Sequence, residues 1–344
     1  MLTDKELNNL KDELDNCKRP LFIFDDDADG ISSFLLFYNY KKEGSGIIVK
    51  TQPKLTKENF SQRVISYQPD KLFILDIPVV DQEFIDYIKV PVVWVDHHEP
   101  LDMENVKYFN PRINSPHANS PTSLVCYRTV KGPLWVAMIG IVGDWTLPKE
   151  LAAELSEQYP NLLPKSIDKP EDALFNSELG KLIKMVSFIL KGPTNDVMKC
   201  IKIMTRIKDP YEILEQKTPQ GKFIYKRFEN INKHYEEMLK DAVSKKSKDK
   251  VLKYVYAGDR ISFTKDLSNE LLYRFPNKII LVAREKNGEF KCSLRSAKTV
   301  IKDIVKSALV GLDGYGGGHE HACGSCLRNE NDFNEFIRRI NEKV

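Results

Sequence analysis

Residues 90–100 read VPVVWVDHHEP, and this stretch decides the reading of the chain. Its run of valines around Trp94 fits a strand buried on both faces of a sheet. The run leads straight into Asp96, His97 and His98. Open parallel sheets place their chemistry at the C-terminal ends of their strands, and there this carboxylate and two imidazoles emerge. Within a strand, adjacent side chains point to opposite faces. In the turn beyond it, both histidines can reach one cleft, one ring ligating a metal while the other touches substrate.

Three further acidic clusters occupy the same kind of position. Residues 21–33, LFIFDDDADGISS, deliver Asp25, Asp26, Asp27 and Asp29 ahead of Gly30 and an apolar helix. Residues 72–78, LFILDIP, end a strand on Asp76, and residues 134–145, LWVAMIGIVGDW, end an apolar segment on Asp144. Each has an ordinary structural explanation. Asp27 or Asp29 can cap the following helix, Asp76 can serve a turn, and Asp144 can sit in a loop closing a helix. Jointly, so many like charges converging on one sheet edge would repel unless cations lay between them. Carboxylate and imidazole donors with open positions suit manganese, magnesium or a similar ion.

In chain order, DDDADG, LDIP, VDHHEP and IVGDW resemble motifs I to IV of the DHH phosphoesterase superfamily. GYGGGHEHACG at 314–324 resembles the GGGH motif of the DHH-associated C-terminal domain. The NPR at Asn110 to Arg112 and the PTS at Pro121 to Ser123 are similar to segments downstream of the DHH motif in RecJ-like chains. The resemblance covers nearly the whole chain and points to RecJ-like single-strand exonucleases and nanoRNase-type oligonucleotide phosphodiesterases. It implies two divalent ions, manganese preferred, with magnesium or cobalt as substitutes. Asp76 would bridge them, Asp27 joining it at one ion and Asp29, His97 and Asp144 at the other. His98 would face the scissile phosphate as acid or electrostatic stabiliser, and Asp96 would orient an imidazole. One position departs from the pattern. Ile23 stands where many members carry a histidine, which makes Asp25 the alternative ligand of the first ion. In the C-terminal domain, Arg295, Ser296, Gly316, Gly317, Gly318 and His319 would grip substrate. Such glycines permit positive φ and close backbone approach, successive amides make an anion nest, and a guanidinium binds phosphate bidentately.

A length of 344 residues exceeds one typical core. Hydrophobic content of 42% and charged content of 29% are those of an ordinary globular protein. A net charge of +3 does not suggest a protein coated by nucleic acid, yet it permits a local basic groove. The polar start MLTDKELNNLKDEL predicts no secretory leader, and no apolar run reaches membrane-spanning length. Scattered cysteines fit a reduced, cytoplasmic protein. Cys323 and Cys326 form a C-x-x-C, for which a zinc or redox site is a minority reading.

Three segments are expected: a doubly wound parallel α/β domain at 1–150, a helical extension and connector at 151–250, and a smaller α/β domain at 251–344 across a cleft. A lysine-rich hinge (Lys245, Lys246, Lys248, Lys250) precedes the last, whose strands VLKYVYAGD, KIILVAREK and FKCSLRS lead to a glycine-rich turn. The expected function is hydrolysis of single-stranded DNA or RNA, or of oligonucleotides, to nucleoside monophosphates, with a replication or repair protein as a further partner. The alternatives are a phosphoesterase of cyclic dinucleotides or nucleotide bisphosphates, and a replication or repair scaffold with weak or no catalysis. Retention of so many converging charges speaks against the scaffold.

Overall fold

A computed structural model describes residues 1–50, 54–245, 248–258 and 261–344. The expected hinge residue Lys246 and the last residue of VLKYVYAGD, Asp259, lie outside the described residues. The chain divides into two compact units, 1–228 and 229–344.

The first unit opens with α1 (Asp4–Asp15), then β1 (Pro20–Asp25), α2 (Ala28–Lys41), β2 (Ser45–Val49), β3 (Lys54–Leu55), α3 (Lys57–Tyr67) and β4 (Lys71–Leu75). It continues through β5 (Val79–Val80), α4 (Gln82–Ile88), β6 (Val92–Val95) and β7 (Val106–Phe109). The five longer strands form an all-parallel sheet in the order β2-β1-β4-β6-β7. Alternation within β1 shows why its sequence is continuously apolar. Leu21 and Ile23 pack with Val64 of α3 and with Phe84, Ile85 and Ile88 of α4 on one face. Phe22 and Phe24 meet Phe34 of α2 on the other, with ring centroids 5.7 and 4.5 Å apart. A strand covered on both sides has no solvent face on which to place polar residues. Ile23 is fully buried in this packing, so the position of the family histidine is here part of the core.

Helices follow: α5 (Pro111–Asn114), α6 (Thr122–Val130), α7 (Leu134–Gly143), α8 (Lys149–Gln158), α9 (Pro170–Asn176), α10 (Glu178–Ile189), α11 (Thr194–Met204), α12 (Tyr211–Leu214) and α13 (Pro219–Ser244). The division between the units falls inside α13. The helix α7 is apolar all round, and Leu134 to Val142 are buried. Gly140 lets it pack tightly, because a Cβ there would lie 2.5 Å from Ser123 Oγ of α6 and 2.8 Å from Ser32 Cβ of α2.

The second unit holds β8 (Val251–Ala257), α14 (Thr264–Arg274), β9 (Ile279–Lys286), β10 (Glu289–Ser296), α15 (Lys302–Ala308), β11 (Gly314–His319), β12 (Ala322–Leu327) and α16 (Glu330–Glu342). Its sheet runs β11-β12-β10-β9-β8, antiparallel except for the β8–β9 pair. Phe333, Phe336, Ile337 and Ile340 of α16 close one face over Leu281, Ala283 and Leu294. The expected glycine-rich turn is an edge strand instead: Gly314 to His319 pair residue by residue with β12. Cys323 and Cys326 stand three apart on β12, which points them to opposite faces, and all six cysteines are free and buried. Among the described residues, no helix is long and apolar enough to cross a membrane.

Candidate metal centre

The parallel sheet ends its strands on one edge, and the loops beyond that edge carry the acidic clusters. Asp25 closes β1. Asp27 is extended and caps α2, its Oδ1 accepting the amides of Asp29 at 3.0 Å and Gly30 at 3.2 Å. The capping explanation of Asp27 therefore holds alongside its place in the cluster. Gly30 is required at that turn, since a Cβ would lie 2.6 Å from the Asp25 carbonyl oxygen.

Asp29 is buried on the first turn of α2. It accepts the backbone amides of Thr122 (2.7 Å) and Ser123 (2.9 Å) and the Ser123 hydroxyl, at the N-terminal end of α6. Helix N-termini present unpaired amides and a partial positive charge, which suits a buried carboxylate. Asp76 follows β4 with φ 60°, a left-handed conformation that aspartate tolerates better than most residues. Its amide donates to Val95 O at 3.0 Å, and its Oδ1 accepts the Thr122 hydroxyl at 3.1 Å. Nearby, the Trp94 indole donates to Ile77 O at 3.0 Å and pins the LDIP turn to β6.

Beyond β6, Asp96 is fully buried. Its Oδ1 lies 2.8 Å from His98 Nδ1, and its Oδ2 accepts the His98 amide at 3.0 Å. Tyr108 and Asn110 donate more weakly to the same Oδ2, each at 3.4 Å. Asn110 also donates to His98 O at 3.0 Å and so holds the loop closed. The His97 ring lies beside that of His98, with centroids 4.5 Å apart, its Nε2 3.4 Å from Asp76 Oδ1 and 4.0 Å from Asp29 Oδ2. Asp144 Oδ2 lies 3.7 Å from His97 Nδ1. Asp144 comes from the C-terminal end of a helix, α7, and not from a strand. Because α7 packs on α2 through Gly140 and Gly143, its end reaches the same edge without belonging to the sheet.

Three clusters result, each with its donor atoms within 4.8 Å of one another: Asp25, Asp27 and Asp76; Asp76, His97 and His98; and Asp29, His97 and Asp144. Asp76 belongs to the first two and His97 to the last two. Burial, followed by the charges of Asp29, Asp27, Asp25 and Asp96, raises the Asp76 carboxyl well above its ordinary range. Burial also lowers His97, against the pull of Asp29. At His98, burial opposes protonation, but the hydrogen bond to Asp96 and nearby carboxylates outweigh it and raise the ring. Buried carboxylates that crowd one another, with a neutral imidazole among them, form an oxygen and nitrogen donor set that fits a hard or borderline divalent ion.

Thr122, Ser123, Tyr108 and Asn110 hold the cluster together, and no role was assigned to them from sequence. The PTS and NPR motifs flagged three of them as positions without chemistry. Tyr108 carried no signal beyond a place in a strand. Lys50, just past β2, was also missed. It donates to Leu190 O and Gly192 O, both at 2.8 Å, and ties that strand end to the end of α10.

Within the second unit, the expected grip residues lie on neighbouring strands. Arg295 on β10 donates through Nε to Asn269 Oδ1 at 2.9 Å and through Nη1 to Leu294 O at 2.8 Å. The buried Ser296 hydroxyl accepts the Thr299 amide at 2.9 Å. Gly316, Gly317 and Gly318 lie in β11, and of the three only Gly318 has positive φ, at 146°. The expected nest of amides in left-handed turns is therefore an extended edge. Glycine is needed there for clearance: a Cβ on Gly316 would lie 2.7 Å from Gly324 O, and one on Gly318 2.3 Å from Ala322 O. His319 ends the strand, exposed, opposite Ala322.

Comparison with known families matches residues 21–153 to the DHH family, N-terminal domain, and residues 253–344 to the DHHA1 domain. The chain belongs to the DHH superfamily. Members of that superfamily are metal-dependent phosphoesterases or nucleases. Curated protein sequences contain no match to this DHH chain. Among solved structures it is similar to RecJ in complex with manganese from Thermus thermophilus, with a TM-score of 0.69 and 16% identity over 99% of this chain. The chain spans about half of that RecJ, 55% of its length. An exonuclease RecJ bound to manganese gives 0.63 and 15% identity, covering 99% of this chain and 95% of the other. The pGpG-specific phosphodiesterase PggH from Vibrio gives 0.54 and 14% identity, covering 95% and 98%. At these identities the likeness is one of fold.

Proposed function

We propose that this DHH protein is a metal-dependent phosphodiesterase that hydrolyses single-stranded nucleic acid or short oligonucleotides to nucleoside monophosphates. The observation that carries this reading is the place of Asp76, shared by two donor clusters at the C-terminal edge of a parallel sheet. Asp25, Asp27 and Asp76 would hold one divalent ion. Asp29, His97 and Asp144 would hold a second, and Asp76, its Oδ1 3.4 Å from His97 Nε2, would bridge the two. Manganese is the expected ion, with magnesium or cobalt as substitutes. When bound, such ions supply an activated water and stabilise charge on the phosphoryl oxygens.

The remaining chemistry belongs to the chain. Thr122 and Ser123 hold Asp29 and Asp76 in their rotamers by hydrogen bonds. Asp96 accepts from His98 Nδ1 and turns that ring's Nε2 away from the carboxylate, toward a scissile phosphate. His98 is the more exposed of the pair, at 41% against 14% for His97. Raised by its contact with Asp96, it can donate a hydrogen bond or a proton to a leaving oxygen. Arg295, Ser296, Gly316, Gly317, Gly318 and His319 are proposed to bind substrate in the segment 251–344, with 1–150 as the catalytic segment and 151–250 as its helical connector. A reduced, cytoplasmic setting agrees with six free cysteines.

A second reading concerns substrate length. The pGpG-specific enzyme shares this fold over 95% of the chain and 98% of its own length, which agrees with a substrate as short as a dinucleotide, although an exonuclease RecJ is covered almost as fully, at 95%. Purified protein with manganese, offered end-labelled DNA and RNA strands of graded length and linear and cyclic dinucleotides, tests both. Monophosphate release that Asp76→Ala abolishes supports the reading. Equal rates from wild type and Asp76→Ala would refute it.

A further inference from the structure

Trp145 follows Asp144 directly and is not absorbed by the metal centre. Three features set it apart. Its backbone is left-handed, with φ 57°, a conformation that costs a bulky residue free energy and that marks functional positions when it persists. The residue stays 37% exposed, whereas the other two tryptophans of the chain, Trp94 and Trp135, are buried at 0% and 1%. Its ring has an aromatic neighbour, Phe175, with centroids 6.2 Å apart and planes at 58°.

The turn that presents Trp145 is built and not loose. The Trp145 amide donates to Val142 O at 2.9 Å and the Thr146 amide to Ile141 O at 3.1 Å, winding the chain back onto the end of α7. The Thr146 hydroxyl accepts from Asn119 Nδ2 at 3.1 Å. One turn therefore carries a carboxylate that faces His97 and, at the next residue, an exposed indole. Because Asp144 faces His97, an exposed indole at the next residue offers a flat, apolar face to a ligand that carries a phosphate.

We infer that Trp145, backed by Phe175, is the platform on which a nucleobase of the substrate stacks while the adjoining phosphodiester reaches the Asp76 and His97 cluster. The assignment rests on the phosphodiesterase reading above and deepens it by naming a specificity-determining residue. An indole face accepts any base, so the platform selects nucleotides over base-free phosphodiesters without selecting sequence. Removing one such stacking face costs roughly 5- to 100-fold in affinity.

The test uses a linear dinucleotide and two analogues, each lacking one of the two bases. Trp145→Ala should raise KM for the dinucleotide by roughly 5- to 100-fold with kcat within about twofold. Trp145→Phe should restore most of the loss. For the analogue that lacks the stacked base, wild type and Trp145→Ala should share one KM. Fluorescence supplies a readout apart from turnover. With Trp94 and Trp135 buried, a phosphorothioate-linked dinucleotide should quench the emission that Trp145→Phe removes. A wild-type enzyme that cleaves dinucleotides while Trp145→Ala keeps the same KM overturns the platform and leaves the phosphodiesterase reading standing. Equal KM changes on the dinucleotide and both analogues also overturn it. A wild-type protein that neither cleaves dinucleotides nor is quenched by the phosphorothioate overturns the platform, and the phosphodiesterase reading falls with it only where end-labelled strands of every length are also left uncut.

Discussion

Replacing Asp76 by Asn should make the metal-free protein more stable and the metal-loaded protein less so. Asparagine tolerates the left-handed backbone at this position, and its amide oxygen can still accept the Thr122 hydroxyl, so the change is chiefly one of charge. Carboxylate oxygens of Asp25, Asp27 and Asp76 approach within 4.8 Å. At an effective dielectric constant near 20, each like-charged pair at that distance costs about 3.5 kcal/mol. Partial exposure of Asp25 and Asp27 and proton uptake by Asp76 reduce this, leaving a net gain of roughly 1–3 kcal/mol for Asn. In a unit of this size that is a rise of about 2–12 °C in Tm. The sign depends on pH. The Asp76 carboxyl is raised in the folded state, so below about pH 4 it is protonated both folded and unfolded, and the two proteins should melt together. As pH rises, the unfolded chain ionises while the folded one resists, wild type loses stability, and the gap opens. Saturating manganese, at about a hundredfold over Kd, should return about 2.7 kcal/mol to wild type and little to Asp76→Asn, inverting the order. Thermal melts in chelator and in manganese, from pH 4 to 8, measure all of this. An Asp76→Asn protein that is no more stable in chelator at any pH and gains as much from manganese would refute the shared-carboxylate assignment.

Asp25→Asn should raise the manganese concentration needed for half-maximal activity about tenfold or more by removing a ligand, whereas Asp26→Asn should shift it little; equal small shifts would mean that the first ion uses other donors. Gly140→Ala should cost about 1–3 kcal/mol in urea denaturation by forcing a methyl against Ser123 and Ser32, and it should lower activity even in protein that remains folded, because Ser123 holds Asp29. Glu13 is raised by burial but lowered further by its hydrogen bonds from Lys107 and Lys71, with a net depression. Its contribution is thus complete above its unfolded value near pH 4 and vanishes as pH falls through the lower folded value. Glu13→Gln should therefore cost roughly 1–2 kcal/mol at pH 7 and progressively less as pH falls below about 4, as followed by denaturant melts.

Much of this protein was legible in its sequence. Strands buried on both faces must be continuously apolar, so VVWV and LFIF announced a parallel sheet, and the polar residues that ended them announced its working edge. Ligand types followed from chemistry, since aspartates and histidines at strand ends have few other reasons to cluster. Tertiary structure decided what depends on residues far apart in the chain. Asp144 reaches the centre from the end of a helix, because close packing at Gly140 and Gly143 carries α7 to the sheet edge. The glycine-rich segment reads locally as a turn, but pairing with β12 supplies every residue from Gly314 to His319 with a partner and draws it into an extended edge. Only the fold could bring Thr122 and Ser123 onto Asp29, 93 and 94 residues away in the chain. A hydrogen bond across that separation leaves no periodicity or composition to read. Residue type and local pattern determined which groups could act, and packing between distant segments decided which of them meet.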